Sequence, residues 1–107
     1  MIDKPNESKR VLISQGARAF MVPLGRVVIT QGASAALEAS PTGAAYMLNR
    51  HVTGDWGDVD SEDWTANDRA LADGNRLLSV YHIEGAKFYV ITEWDRSATT
   101  ILLPEEY

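Results

Sequence analysis

The spacing of apolar positions changes midway along the chain. From Arg76 onward, RLLSVYHI, KFYVITEW and TTILLP are runs rich in β-branched and aromatic residues, separated by Glu84-Gly85-Ala86 and Asp95-Arg96-Ser97-Ala98. Runs of this kind bounded by turn residues predict three strands, and links this short predict antiparallel neighbours, a meander. Before them, Val27-Val28-Ile29-Thr30 predicts a strand that ends at Gln31-Gly32, and Val11-Leu12-Ile13 is a shorter strand candidate. Ala33 to Ala39 reads as a short helix. Ser40-Pro41 opens a second helix, with Ser40 as its cap and Pro41 in the first turn, where a missing N–H costs nothing. Ala44, Leu48 and Val52 would form its buried stripe; the helix runs to about His51, with Gly54 as its stop. A third helix fits Ser61 or Glu62 to Asp73, with acids in its first turn and Gly74 closing it. Helices followed by a meander predict an α+β domain, two or three helices packed on an antiparallel sheet. Residues 1–10 read as a polar tail and 11–107 as the domain.

At 107 residues with 45% hydrophobic and 23% charged content, the chain is expected to form one modest core. It has no cysteine, hence no disulfide framework and no thiolate metal site. No apolar run approaches the ~20 residues that span a bilayer, and MIDKPNESKR lacks the apolar centre of a secretory signal. A cytoplasmic protein without a membrane partner is expected. The net charge of -5 is unevenly placed: Asp55, Asp58, Asp60, Glu62, Asp63, Asp68 and Asp73 face a single base, Arg69, within 55–73. Such a segment repels phosphate backbones, which argues against extended nucleic-acid binding, and it could instead meet a basic partner surface. The same acids would also serve as the solvated face of a helix and its leading loop.

The densest chemistry lies in NRHVTGDWG, Asn49 to Gly57. His51 titrates near neutrality and suits proton transfer, and it equally suits a helix C-terminus, where Arg50 and His51 complement the dipole. Trp56, with Gly54 and Gly57 close on either side, reads either as a plug between helix and sheet or as an exposed anchor for a partner. Asp58-x-Asp60-x-Glu62 imitates a calcium loop, but the sixth position is Asp63 instead of glycine and the twelfth is Arg69 instead of glutamate. His51 and His82 are not at metal-ligand spacing, and a site of His51 with Asp55 and Asp58 has no further support, so no metal or cofactor is expected.

The segments RHVTGDWGDVDSEDW, NDRALADGNRLLSVY and YVITEWDRSATTILLPEEY make residues 24–107 resemble a family of small proteins carried by plasmids, phages and integrated elements. Its members bear the label plasmid-related, and some that of a type I restriction modification subunit. The chain lacks the length and the Asn-Pro-Pro-aromatic signature that a methyltransferase needs. The resemblance implies a mobile-element setting. A more remote likeness is to the small RNase fold of barnase and RelE-type toxins, which cut RNA without metal. That likeness would make His51 a general acid or base, Arg76 a phosphate contact, and Ser79 with Thr99 or Thr100 hydroxyls of the same sheet face.

Two functions follow as expectations. One is an accessory protein of a mobile element that binds a protein partner, with anti-restriction or anti-CRISPR action as its sharpest form. Arg50, Asp55, Trp56, Asp58, Asp60, Glu62 and Asp63 would be its binding residues. The alternative is a metal-independent RNase using His51, Arg76, Ser79 and Thr99 on a short RNA substrate. Pairing of edge strands across a two-fold axis would give a homodimer.

Overall fold

The computed structural model describes residues 22–107. The polar tail and the Val11–Ile13 strand candidate lie outside the described residues. The elements are β1 (Arg26–Ile29), α1 (Gln31–Ala36), α2 (Gly43–Val52), α3 (Ser61–Asp73), β2 (Leu77–Ile83), β3 (Ala86–Thr92), β4 (Ala98–Leu102) and a closing 3₁₀ turn, Pro104–Glu106. This is the expected α+β arrangement, helices before the meander.

The strand order is β1-β4-β3-β2. β2, β3 and β4 form the antiparallel meander, and β1 adds to β4 in parallel, which makes the sheet mixed. The β2–β3 link is a two-residue turn in which both Glu84 (φ 51°) and Gly85 (φ 81°) are left-handed, the conformation whose twist matches a hairpin.

Side chains alternate along each strand, and the two faces of the sheet differ. Leu77, Ser79 and Tyr81 of β2, Phe88, Val90 and Thr92 of β3, and Thr99 and Ile101 of β4 share the face covered by helices, and all are buried. One core cluster joins Ala33, Leu37 and Met47 to Tyr81, Phe88, Val90 and Ile101. The other joins Val22, Trp56, Ala70 and Leu77.

Helix α2 begins at Gly43, two residues later than the Ser40 cap implies, because Ser40 and Pro41 form a turn closed by Gly43 N–H donating to the Ser40 carbonyl. Its buried positions are Gly43, Met47 and His51, one residue before the Ala44–Leu48–Val52 stripe, which is half-buried at the margin. Two features cause the rotation. A Cβ on Gly43 would stand 2.8 Å from a Leu37 methyl, so glycine lets the helix approach there without displacing that side chain. At the other end, His51 finds polar partners on the sheet. Helix α3 matches expectation: Asp60 caps it by accepting from Asp63 N–H at 2.8 Å, and Gly74 (φ 76°) ends it.

The outer edge of β2 is covered. Asn67 of α3 donates to the Leu78 carbonyl at 2.8 Å and accepts from Leu78 N–H at 3.1 Å. One residue pair further on, Val80 N–H donates to the Trp56 carbonyl and Asp58 N–H to the Val80 carbonyl, a parallel bridge centred on Gly57. At Leu78 and Val80 the backbone groups that an incoming strand would need are taken. Among the described residues the open edge is that of β1, where Val27 and Ile29 are about two-fifths exposed.

Gly57 makes the bridge possible. At φ 78° a Cβ there would lie 2.0 Å from the Val80 carbonyl oxygen. Gly85 has a similar φ of 81° with nothing within 4 Å of a Cβ. We expect Gly85→Ala to cost about 1 kcal/mol, the left-handed backbone alone, and Gly57→Ala about 3 kcal/mol or more, since backbone must also move. Urea unfolding of the two variants checks the difference; equal losses would remove the bridge as a constraint.

Candidate functional site

Two regions concentrate chemistry, one inside the molecule and one on its surface. Inside, His51 is fully buried in the last turn of α2, with its ring edge against Trp56 at 5.5 Å. Its Nδ1 lies 2.6 Å from Ser79 Oγ and its Nε2 2.8 Å from Thr92 Oγ1. Thr92 Oγ1 lies 2.7 Å from Thr99 Oγ1, and Thr99 donates to the Leu24 carbonyl at 2.7 Å. Proton counting orients this chain. Thr99 has one hydrogen, given to Leu24, so Thr92 donates to Thr99. Thr92 then has none left, and Nε2–H of His51 donates to Thr92. The neutral ring accepts at Nδ1 from the Ser79 hydroxyl. Burial, aided by the positive charge of Arg96, pushes the His51 pKa down to about 4, which agrees with a neutral imidazole.

His51, Ser79 and Thr99 therefore do meet, together with Thr92, which was not among the expected site residues. All four are buried. A serine hydroxyl hydrogen-bonded to a histidine is the start of a nucleophile–base pair, but here both side chains have no exposed surface through which a substrate could reach them. Arg76 stands on the opposite face of the sheet, with its Nε 3.7 Å from Glu93, its Nη1 donating to the Tyr107 hydroxyl at 3.1 Å and its guanidinium over the Tyr107 ring.

Around this core the NRHVTGDWG stretch is held by paired groups. Arg50 donates through Nε and Nη2 to both oxygens of Asp55, at 2.8 and 3.1 Å, and lies over the Tyr81 ring. The Arg50 guanidinium holds the Asp55 carboxyl below the usual carboxylate range, helped by Gly57 N–H. The Tyr81 hydroxyl donates to the Asp55 carbonyl. Trp56 is a plug: fully buried, it donates through Nε1 to Asp68 of α3 at 2.9 Å. Arg96, in a left-handed conformation, donates to the carbonyls of Ala70, Asn75 and Glu93, which ties the β3–β4 turn to the end of α3. Spacing gave no sign of this role, because the acceptors are backbone.

On the surface, Asp58, Asp60, Glu62 and Asp63 are all exposed. Asp58 accepts from His82 Nδ1 at 2.7 Å. Asp58, Asp60 and Asp63 line a groove of about 470 Å³ on the helix-free face, with Leu78, Val80, Lys87, Tyr89 and Tyr107. Tyr107 stands edge-on to Tyr89 at 5.7 Å, and beyond it a second groove of about 420 Å³ includes Arg76, Ile91, Glu93 and Leu102. The terminal turn that carries Tyr107 is anchored by Glu106, which accepts from the Thr30 hydroxyl at 2.6 Å, Leu103 N–H at 2.8 Å and Gly32 N–H at 3.1 Å. Tyr107 lies across the sheet face opposite the buried Trp56 ring and lines the groove together with Val59 and Asp60.

Among the described residues no three histidine or carboxylate side chains stand together as a metal site, and no helix is long and apolar enough to cross a membrane. In comparisons with known proteins, no family model, no curated protein and no solved structure matches the chain.

The buried chain predicts acid sensitivity. An unfolded histidine takes its proton near pH 6.5, whereas folded His51 resists until about 4. Its contribution is complete above pH 6.5 and declines as pH falls toward 4, by about 3 kcal/mol across that window. The lowered carboxylates of Asp55 and Glu106 begin to lose their share as pH falls through their ordinary values, near 3.8 and 4.5, so Glu106 adds to the decline only at the bottom of that window. Urea midpoints from pH 7 to 4.5 should fall in the wild type and flatten in His51→Gln, and ring nitrogen shifts at pH 7 should place the proton on Nε2. A protonated ring at pH 6 would refute the assignment.

Proposed function

We propose that the chain is a non-enzymatic accessory protein of a mobile genetic element and acts by binding a protein partner through a basic surface of that partner. The observation that carries this reading is the row Asp58, Asp60, Glu62 and Asp63, four exposed carboxylates on the loop into α3 and its first turn. The nearest base along the helix is Arg69, about two turns beyond. The row is displayed on a rigid support: Asp60 is fixed as the helix cap, and the loop before it is bridged to β2 at Gly57. Fixed carboxylates can occupy the place of phosphates in a basic channel, and they speed association with a positive surface. The mobile-element resemblance supports anti-defence action, against restriction or CRISPR machinery, as the specific form. The alternative RNase reading needs His51 and Arg76 in one open cleft, and no geometric observation favours it.

The test uses Asp60→Asn/Glu62→Lys/Asp63→Lys, in which asparagine keeps the cap. In cells carrying a restriction or CRISPR system, the wild type should raise phage plating efficiency, and the triple variant should lose most of that effect while unfolding at a similar temperature. A retained effect in the triple variant would sink the acidic-surface reading. RNA cleavage that survives a chelator and disappears in His51→Ala would replace it with the nuclease.

A further inference from the structure

The acidic row has a neighbour that a purely electrostatic contact would not need. The three helices bury their apolar residues on one face of the sheet, and the other face, among the described residues, is bordered at the β2 edge by the Asp58–Asp63 segment and carries the terminal turn with Tyr107. Beside Asp58, Asp60 and Asp63 this face offers the half-buried Leu78 and Tyr89 ring, together with the buried Val80, as an apolar floor, with the ring of Tyr107, which is 65% exposed, as the far wall. Carboxylates along one side of an apolar, aromatic trough match a chain that alternates cations with apolar side chains. Two tyrosine rings add quadrupoles that attract ammonium or guanidinium groups. The protein already uses them so: Arg76 lies over the Tyr107 ring at 5.4 Å and Lys87 near the Tyr89 ring at 6.0 Å. Lys87 is the lining's one lysine or arginine against three carboxylates, and Asp58 is engaged by His82, which leaves Asp60 and Asp63 facing the groove with negative charge to spare. Nucleic acid is the wrong partner for such a wall, since its phosphates would meet like charge.

We propose that this groove seats an extended basic segment of the partner protein, with lysine or arginine toward Asp60 and Asp63 and an apolar side chain on Leu78, Val80 and Tyr89. The proposal rests on the protein-binding reading above and adds the place and the chemistry of recognition. Glu62 lies outside the groove, on the side of α3 that faces Thr65 and Arg69, so it separates the two ideas.

The probe is a seven-residue peptide of alternating lysine and leucine, titrated into the full chain and followed by NMR, with alternating glutamate and leucine as control. Binding should shift the Leu78 and Val80 methyls and the Tyr89 and Tyr107 rings. Asp60→Asn/Asp63→Asn should weaken it about tenfold, Tyr107→Ala several-fold, and Lys87→Glu should tighten it several-fold. Glu62→Lys should change it little. Shifts confined to the outer side of α3, with Lys87→Glu and Tyr107→Ala silent, would overturn the groove and leave the acidic-surface reading standing. Contacts between Tyr89 and residues 4–10 of the chain itself would overturn it in favour of self-occupancy. Concentration-dependent shifts without peptide would overturn it in favour of a second copy. No shift at all would overturn it outright, and the phage assay would still judge the broader reading.

Discussion

The hydrogen-bond chain from the Leu24 carbonyl through Thr99, Thr92 and His51 to Ser79 sets the arrangement of everything else. It joins the lead-in to β1, strands β4, β3 and β2, and the end of α2 through side chains that water does not reach. A buried polar chain is tolerable only when complete, because each orphaned member costs about 1–3 kcal/mol. Completeness fixes register. A one-residue slip of β3 or β4 would turn Thr92 or Thr99 to the other face and strand His51 among apolar groups. Valine or leucine at these positions would pack, but would not distinguish one register from the next.

The same chain explains what could be read in the amino-acid sequence and what could not. Strand composition and turn residues located the meander, and the acids of the first turn and Gly74 bounded α3, because those signals are local. The rotation of α2 was not legible. Ala44, Leu48 and Val52 are the better apolar stripe, and His51 suited either proton transfer or a helix C-terminus. Its burial depends on Ser79 and Thr92, 28 and 41 residues away, whose hydroxyls carry no sign of a shared partner. Trp56 could be weighed as plug or anchor from its glycines; the decision came from Asp68 across the loop. The acidic row was visible as composition, but the apolar floor beside it required knowing which sheet face the helices leave open. The parallel addition of β1 to β4 is a long-range pairing with no local signature.

The sheet is asymmetric in faces and in edges, and the two asymmetries are linked. Helix α3 reaches the β2 edge because Trp56 and Ala70 lie in the core cluster at that end, and Asn67 then occupies the backbone groups that an incoming strand would need. Packing on the helix side thus closes one edge without covering the other face. Edge pairing through the meander, which short strands alone would suggest, is blocked at β2, and β1 is left as the strand with free backbone groups among the described residues.

The exposed carboxylates gain their meaning from this buried framework. The segment from Arg50 to Asp63 alternates anchors with display: Asp55 is clamped by Arg50, Trp56 is buried, Gly57 is bridged to Val80, and Asp60 caps α3, while Asp58, Glu62 and Asp63 project outward. Loops commonly lose entropy when a partner orders them. Here the backbone is ordered by core contacts, so binding through these carboxylates, as proposed above, would be offset less by ordering. The neutral buried imidazole and the charged rim are parts of one arrangement. His51 stays uncharged so that the end of α2 can pack against the sheet, and that packing holds the acids in a fixed row.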